Sequence, residues 1–236
     1  MYFEKFPQTF YTLDNRATVQ LVTNITLRNI VNDAIKNNYS IYDEYDIKDS
    51  ETPEILADKI YDNPGYHWII LHMNDIVDPR FDWPLTQPRL EEFIVDKYGN
   101  TSAIHHYENS QGETVNANIL ITTSAVPALI ISQNDVVVNV TEEGQGYVEY
   151  AASINNYYVK VTKGGFRVGN KIAVYSNTLA NVDIVNTVIN NDAIGVTVYD
   201  YEDEQNESKR RIKILKPQFV ESFVNEFFGK LELVNG

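Results

Sequence analysis

Residues 52–84 read TPEILADKIYDNPGYHWIILHMNDIVDPRFDWP, from Thr52 to Pro84, and this stretch decides the fold. Thr52-Pro53-Glu54 is a helix start. The threonine oxygen can accept a first-turn N–H, proline suits the first helical position, and glutamate favours the positive helix end. Leu56 with Ile60 and Ala57 with Tyr61 are i,i+4 pairs on one face. Asp62-Asn63-Pro64-Gly65 has turn chemistry. Tyr66, Trp68, Ile69, Ile70, Leu71 and Met73 then form a helix apolar almost all round, which implies burial on most of its surface. Asn74-Asp75 stops it. Asp78-Pro79 and Asp82-Trp83-Pro84 read as an extended acidic and aromatic segment. The result is a compact docking unit with no obvious catalytic apparatus.

Upstream, residues 1–25 read as an extended arm. Leu27, Ile30, Val31, Ala34 and Ile35 predict a short amphipathic helix from Thr26 to Asn37. Ser40 to Ile47 alternates as a strand leading into the docking unit. Downstream, Arg89 to Tyr98 predicts a third helix stopped by Gly99. Residues 112–205 are rich in Val, Ile, Asn, Thr and Tyr, with glycine-centred turns. They offer strands at Ile119–Thr122, Val136–Val140, Tyr147–Tyr150, Tyr157–Thr162, Phe166–Val168, Lys171–Tyr175, Asp183–Ile189 and Ile194–Tyr199. Gly164-Gly165-Phe166-Arg167-Val168-Gly169 reads as a hairpin turn, and Asn190-Asn191 as another. That spacing predicts a small antiparallel barrel or sandwich. Ile212 and Ile214 then alternate with Arg211 and Lys213 as a strand. Pro217 opens a helix whose Phe219, Phe223 and Phe227 recur at i+4, beside Val220, Val224, Phe228 and Leu231. Such a stripe belongs to a core or a subunit interface.

The chain has 236 residues, 43% hydrophobic and 22% charged, with a net charge of −14. Its pI is about 4.6. Phosphate backbones are repelled by such a balance, so nucleic acid is not an expected partner. Lys209-Arg210-Arg211 with Lys213 and Lys216 follows the acidic run Glu202, Asp203, Glu204 and Glu207, and reads as a balanced solvated face. No apolar run reaches the length of a membrane span, so no membrane partner is expected. The N-terminus lacks a secretory pattern. Zero cysteines rule out disulfides and thiol catalysis and point to a reducing compartment.

Catalytic motifs are missing. His67 and His72 are five apart, poor spacing for one metal on a helix, and His105-His106 would face opposite sides of a strand. There is no nucleophile elbow, phosphate loop or zincin motif. Asp75, Asp78 and Asp82 near Trp68 and Trp83 could be offered as a glycosidase set, but Asp-Pro elements commonly cap turns. No catalytic residue, cofactor or metal is expected, and the Asn-x-Ser/Thr sequons are read as accidental.

Thr52 to Asn74 resembles a LysM module: helix, turn, helix, then Asn, entered from a short strand. LysM modules usually bind N-acetylglucosamine polymers. The usual Gly-Asp-Thr-Leu opening is replaced by Asp49-Ser50-Glu51-Thr52-Pro53-Glu54, and no closing Ile-Pro strand is evident. A more extensive match runs through Pro53-Glu54, Leu56-Ala57, Ile60-Tyr61, Asn63-Pro64, Trp68, Leu71, Asn74-Asp75, Asp78-Pro79 and Trp83. It resembles the LysM-like baseplate wedge family of T-even-type contractile-tailed phages, gene product fifty-three. Lys97-Tyr98 and Arg211-Ile212-Lys213-Ile214 before the terminal helix fit the same family.

The resemblance covers about residues 1–108 and 206–236, and 112–205 look like an insertion. It implies a non-enzymatic structural protein of the virion, joining neighbouring wedges around the tail hub and sheath-initiator region. Six copies or a multiple in a ring follow, with assembly in the host cytoplasm. The fold implied is α+β: arm and helix at 1–48, LysM-like βααβ module at 49–108, all-β insertion at 109–205, and strand and helix at 206–236. Pro53, Glu54, Tyr61, Trp68, Asn74, Asp75, Asp78, Pro79 and Trp83 form the module signature, and Phe219, Phe223 and Phe227 a second interface candidate. A peptidoglycan- or chitin-binding LysM module is the alternative, and a murein-cleaving enzyme a third reading.

Overall fold

The computed structural model describes residues 3, 6–12, 18–25, 33–127, 130–189 and 192–233. The chain divides into two compact units, one made of residues 1–86 and 206–236, the other of 87–205. In chain order the first unit begins with β1 (Gln8–Tyr11), β2 (Gln20–Thr23), α1 (Asp33–Lys36), β3 (Tyr42–Asp46), α2 (Pro53–Tyr61), α3 (His67–Met73) and α4 (Pro79–Asp82). Then come α5 (Gln87–Tyr98), β4 (Ile104–Glu108), β5 (Thr114–Val115), β6 (Asn118–Thr123), β7 (Val136–Asn139), β8 (Gly144–Ser153) and β9 (Asn156–Gly164). The chain continues through β10 (Lys171–Val174), β11 (Val182–Ile189), β12 (Ile194–Thr197) and α6 (Val198–Ser208), and ends with β13 (Arg211–Leu215) and α7 (Val220–Leu233).

In the first unit β3 pairs antiparallel with β13, from Tyr42 opposite Leu215 to Asp46 opposite Arg211. The partner of β3 is therefore a strand that follows the entire second unit in sequence. Two apolar clusters hold it. Ile47, Leu56, Ala57, Ile70, Trp83, Ile212 and Ile214 form one. Phe6, Tyr42, Trp68, Ile69, Met73, Leu215 and the apolar face of α7 form the other. Leu56, Ile69 and Ile70 are fully buried, each burial worth about 1.5–3 kcal/mol. Asn206, itself buried, ties the chain together: its Oδ1 accepts the Leu85 N–H at 2.7 Å and its Nδ2 donates to the Leu85 carbonyl at 3.0 Å.

The second unit carries a closed six-stranded barrel in the order β10-β11-β6-β9-β8-β7, and a three-stranded sheet β12-β4-β5. Strand β6, and β9 as far as Val161, alternate buried and half-buried residues, which places Ile119, Ile121, Tyr157, Val159 and Val161 in the barrel core. Extra residues at register shifts in β8–β9 and β11–β6 supply the bends that closure needs.

Several expectations are corrected. The arm of residues 1–25 contains a two-stranded ribbon, β1 with β2. The extended acidic segment includes a helical turn, α4. Residues 164–169 do not form a hairpin, because β9 lies between β6 and β8 while β10 lies between β11 and β7. Phe166 is no strand residue; it is buried in the barrel core, and Gly165 is required because a Cβ would sit 2.5 Å from that of Ile104. The strand from Ile194 ends at Thr197, and the acidic run is helix α6. Most of the helix expected from Thr26 to Asn37, and the Asn190-Asn191 turn, lie outside the described residues. No helix among the described residues is long and apolar enough to cross a membrane.

Candidate functional site

The candidate site is the surface and core of the 52–84 segment with its closing strand. Thr52 Oγ1 accepts the Ile55 N–H at 3.3 Å, Pro53 occupies the first turn of α2, and Glu54 is exposed there. Asp62 ends α2 in the left-handed region at φ 53°. Asn63 caps the next turn, accepting the Gly65 N–H at 2.8 Å. Both tryptophans are turned inward. Trp83 is 6% exposed and its Nε1–H donates to the Glu51 carbonyl at 2.8 Å. Trp68 is 5% exposed, and its ring centroid lies 4.8 Å from that of Phe227, 5.6 Å from Phe228 and 6.1 Å from Phe223. Such aromatic contacts add about 0.5–1.5 kcal/mol each beyond burial. The Phe stripe of the last helix thus brings Phe223 and Phe227 onto Trp68, with Phe219 half-buried at the cluster's edge.

Asn74 joins helix to strand. Its Nδ2 donates to the Ile70 and Lys213 carbonyls, both at 2.8 Å, and its Oδ1 accepts the Lys213 N–H at 2.7 Å. The side chain therefore pairs with both backbone groups of one β13 residue, as a neighbouring strand would. Tyr61 spans the same gap, its hydroxyl donating to the Leu215 carbonyl at 2.9 Å, and burial pushes that phenol upward.

The aspartates act on the backbone. Asp78 Oδ1 accepts the Arg80 N–H at 3.1 Å and caps α4, which Pro79 opens. Asp82 Oδ2 accepts the Val77 and Asp78 N–H groups at 3.1 and 3.0 Å. Hydrogen bonding to the Arg80 guanidinium holds the Asp78 carboxyl below its ordinary value. Asp75, at φ 56°, pairs with Lys36. Asn74, Asp75, Ile76, Val77, Asp82, Lys209, Arg211 and Ile212 line an open groove of about 540 Å³.

Glu51 was not singled out by the sequence, yet it organises the start of α2. Its carboxylate accepts from Lys59 at 2.9 Å, from the Tyr45 hydroxyl at 2.9 Å and from the Lys48 N–H at 3.0 Å. Burial would raise its pKa, but these hydrogen bonds, led by Lys59, outweigh burial and hold it low. The basic run is used locally. Arg211 pairs with Glu44 and Asp46, Arg210 Nε donates to Glu207 at 2.7 Å, and Lys209 donates to the Phe81 carbonyl at 2.9 Å.

In the second unit His105 and His106 meet, with Nδ1 atoms 2.9 Å apart, instead of facing opposite ways. Val196 stands opposite His106 and Thr197 opposite Ile104, so His105 is an extra, bulged residue that breaks the alternation. His105 stacks on Tyr201 at 3.9 Å, and burial and its neighbour His106 lower its pKa. Among the described residues no group of three His, Cys, Asp or Glu side chains is placed to hold a metal.

A family model, base plate wedge protein 53, matches residues 1–156. The chain belongs to that family. It is also 26% identical over 188 residues to baseplate wedge protein gp53 of Enterobacteria phage T4, across 80% of this chain and 72% of that protein. Membership identifies a structural component of a phage tail baseplate. The match continues past residue 112, through β6, β7 and β8 to the first residue of β9. The family signal therefore enters the barrel, which the residue pairs of the docking unit alone did not indicate.

Proposed function

We propose that β3, α2, α3 and β13 form a LysM-like module split by the second unit, and that it joins neighbouring wedges around the baseplate hub through protein contacts. On this reading the chain is not an enzyme, stands in six copies or a multiple, and assembles with other wedge subunits in the host cytoplasm. The antiparallel pairing of β3 with β13 supports that reading. The carrying observation is that Trp68 and Trp83 are both buried. The module spends its tryptophans on its own core and offers neither as a platform on which a sugar ring could stack. The signature residues Pro53, Tyr61, Trp68, Asn74 and Trp83 then fix the module, while Glu54, Asp75, Asp78 and Pro79 lie on its accessible edges. Phe219, at the rim of the Trp68 cluster, is the member of the stripe best placed to touch a neighbour, with Phe223 and Phe227 setting the helix behind it.

The test is reconstitution with the other wedge proteins of the same phage, beside binding assays with chito-oligosaccharides and peptidoglycan. Co-assembly without glycan binding is expected. Retention on peptidoglycan with no wedge co-assembly would overturn the reading. Cleavage of murein that disappears in Asp75→Asn or Asp78→Asn would favour the enzyme.

A further inference from the structure

Ribbon β1–β2 departs from the rest of the first unit. Its base is anchored, since Phe6 is buried with its ring 6.3 Å from Phe228 and the Asn24 N–H donates to the Pro7 carbonyl at 2.8 Å. Beyond that base Phe10 is 77% and Leu21 55% exposed, and the two stand opposite each other in register. Among the described residues neither strand pairs with a third. Residues 6–12 and 18–25 contain no Asp, Glu, Lys or Arg, in a chain that is 22% charged. Edge strands of stable monomers are usually blunted by charge, by proline or by a cover, and two strands alone are marginal in water.

The register says which groups face outward. The Asn24–Pro7 bond makes that pair a hydrogen-bonded one, so Thr9–Val22 and Tyr11–Gln20 follow as hydrogen-bonded pairs and Gln8–Thr23 and Phe10–Leu21 do not. The N–H and C=O groups of Gln8 and Phe10 thus point away from β2, along the free edge of β1. Pro7 does not block that edge, because its missing N–H would have pointed toward β2. On β2 the outward Thr23 carbonyl is already taken by the Ile25 N–H at 3.0 Å, so among the described residues β1 is the edge that keeps all of its outward backbone groups open.

We propose that the β1 edge receives an extended, uncharged segment of another baseplate subunit as an added strand, with apolar side chains of that segment covering Phe10 and Leu21. Backbone pairing supplies the affinity and the Phe10–Leu21 face the specificity. The unblocked edge chooses a strand over a helix as occupant. A second copy is disfavoured because it would bring a net charge of −14 against −14. The proposal does not depend on the LysM-like reading, which concerns other elements.

Amide hydrogen exchange on the isolated protein and on purified assembled tails tests it. In tails the Gln8 and Phe10 amides should slow by about tenfold or more, while Leu21 and Thr23 on the opposite edge stay fast. Equal rates in both states, or slowing of all four amides alike, would overturn strand addition. Phe10→Pro removes an outward N–H without deleting a β1–β2 bond, and should block tail assembly while the purified variant keeps the parent's unfolding midpoint. Normal assembly of Phe10→Pro would overturn the proposal. So would a dimer of the isolated protein, seen by sedimentation, that Phe10→Pro abolishes. Should Phe10→Pro fail to fold, the exchange pattern of the unmodified chain decides.

Discussion

Removing the Asn74 amide tests how the first unit is closed. Asn74→Ala deletes three hydrogen bonds of 2.7–2.8 Å, two of them to Lys213 on β13. Each is worth about 0.5–1.5 kcal/mol net. Asn74 and Lys213 are half-buried, so water can replace part of what is lost, and the expected cost is about 2–3 kcal/mol. Asn74→Asp should be worse than alanine. It keeps an acceptor for the Lys213 N–H but sets a carboxylate oxygen against two carbonyl oxygens that now receive an N–H at 2.8 Å.

Urea titration followed by tryptophan fluorescence is the assay. The chain's two tryptophans, Trp68 and Trp83, both lie in the first unit, so the signal reports that unit alone. With a urea m-value of about 1–3 kcal/mol/M, the midpoint should fall by about 1–2 M with an unchanged slope. Agreement of the Asn74→Ala midpoint with the parent to within about 0.3 M would refute the bridging role. Equal stability of the Asp and Ala variants would refute the geometry assigned to the amide.

Trp83→Ala should cost about 3–5 kcal/mol by emptying a buried site, while Trp83→Phe retains most of the burial and loses chiefly the bond to Glu51, about 1 kcal/mol; calorimetry of both variants separates the terms. Glu202 is buried, accepting from Lys97 at 2.7 Å and Tyr98 at 2.6 Å; burial raises its pKa, but the two hydrogen bonds outweigh burial and hold the carboxyl below the ordinary glutamate value. Its contribution is therefore present above the ordinary glutamate value and lost as pH falls through the depressed one, so Glu202→Gln should flatten the acid limb of the chain's unfolding followed by tyrosine near-UV circular dichroism, a signal that both units share. Replacing residues 87–205 by a short Gly-Ser linker should leave cooperative urea unfolding of the first unit, because Leu85 and Asn206 are already hydrogen-bonded; a chain without a tryptophan-detected transition would refute this.

What was legible in the sequence was what neighbouring residues determine. The Thr52 cap, the Pro53 first turn, the αL stop at Gly99 and the alternation of β6 and β9 are local consequences of side-chain chemistry. The Asp-Pro capping role was legible for the same reason. Long-range consequences were not. Nothing near Gly164 announces that the chain crosses the barrel to β10, since glycines serve a crossover as well as a hairpin. The His105 bulge is a register property of two strands far apart in sequence. Glu51, Asn206 and Lys213 matter through partners at distant positions, and each reads as an ordinary polar residue beside its neighbours.

The closing strand shows the same division in one element. Its alternation was visible at Ile212 and Ile214, but its partner could not be assigned, because a strand expected close after α3 arrives only after the second unit. Closing a loop costs free energy that grows only logarithmically with its length, about 0.6 kcal/mol per doubling, so a long detour is thermodynamically cheap. What it demands is a unique landing place. Tyr61 and Asn74 provide it from the helices, by bonding the backbone of Leu215 and Lys213, and Asn206 fixes where the returning chain begins. A register slip of one residue would turn Ile212 and Ile214 out of the core and offer these bonds to the wrong groups. Tyr61 and Asn74 thus act by fixing the register in which the interrupted first unit closes.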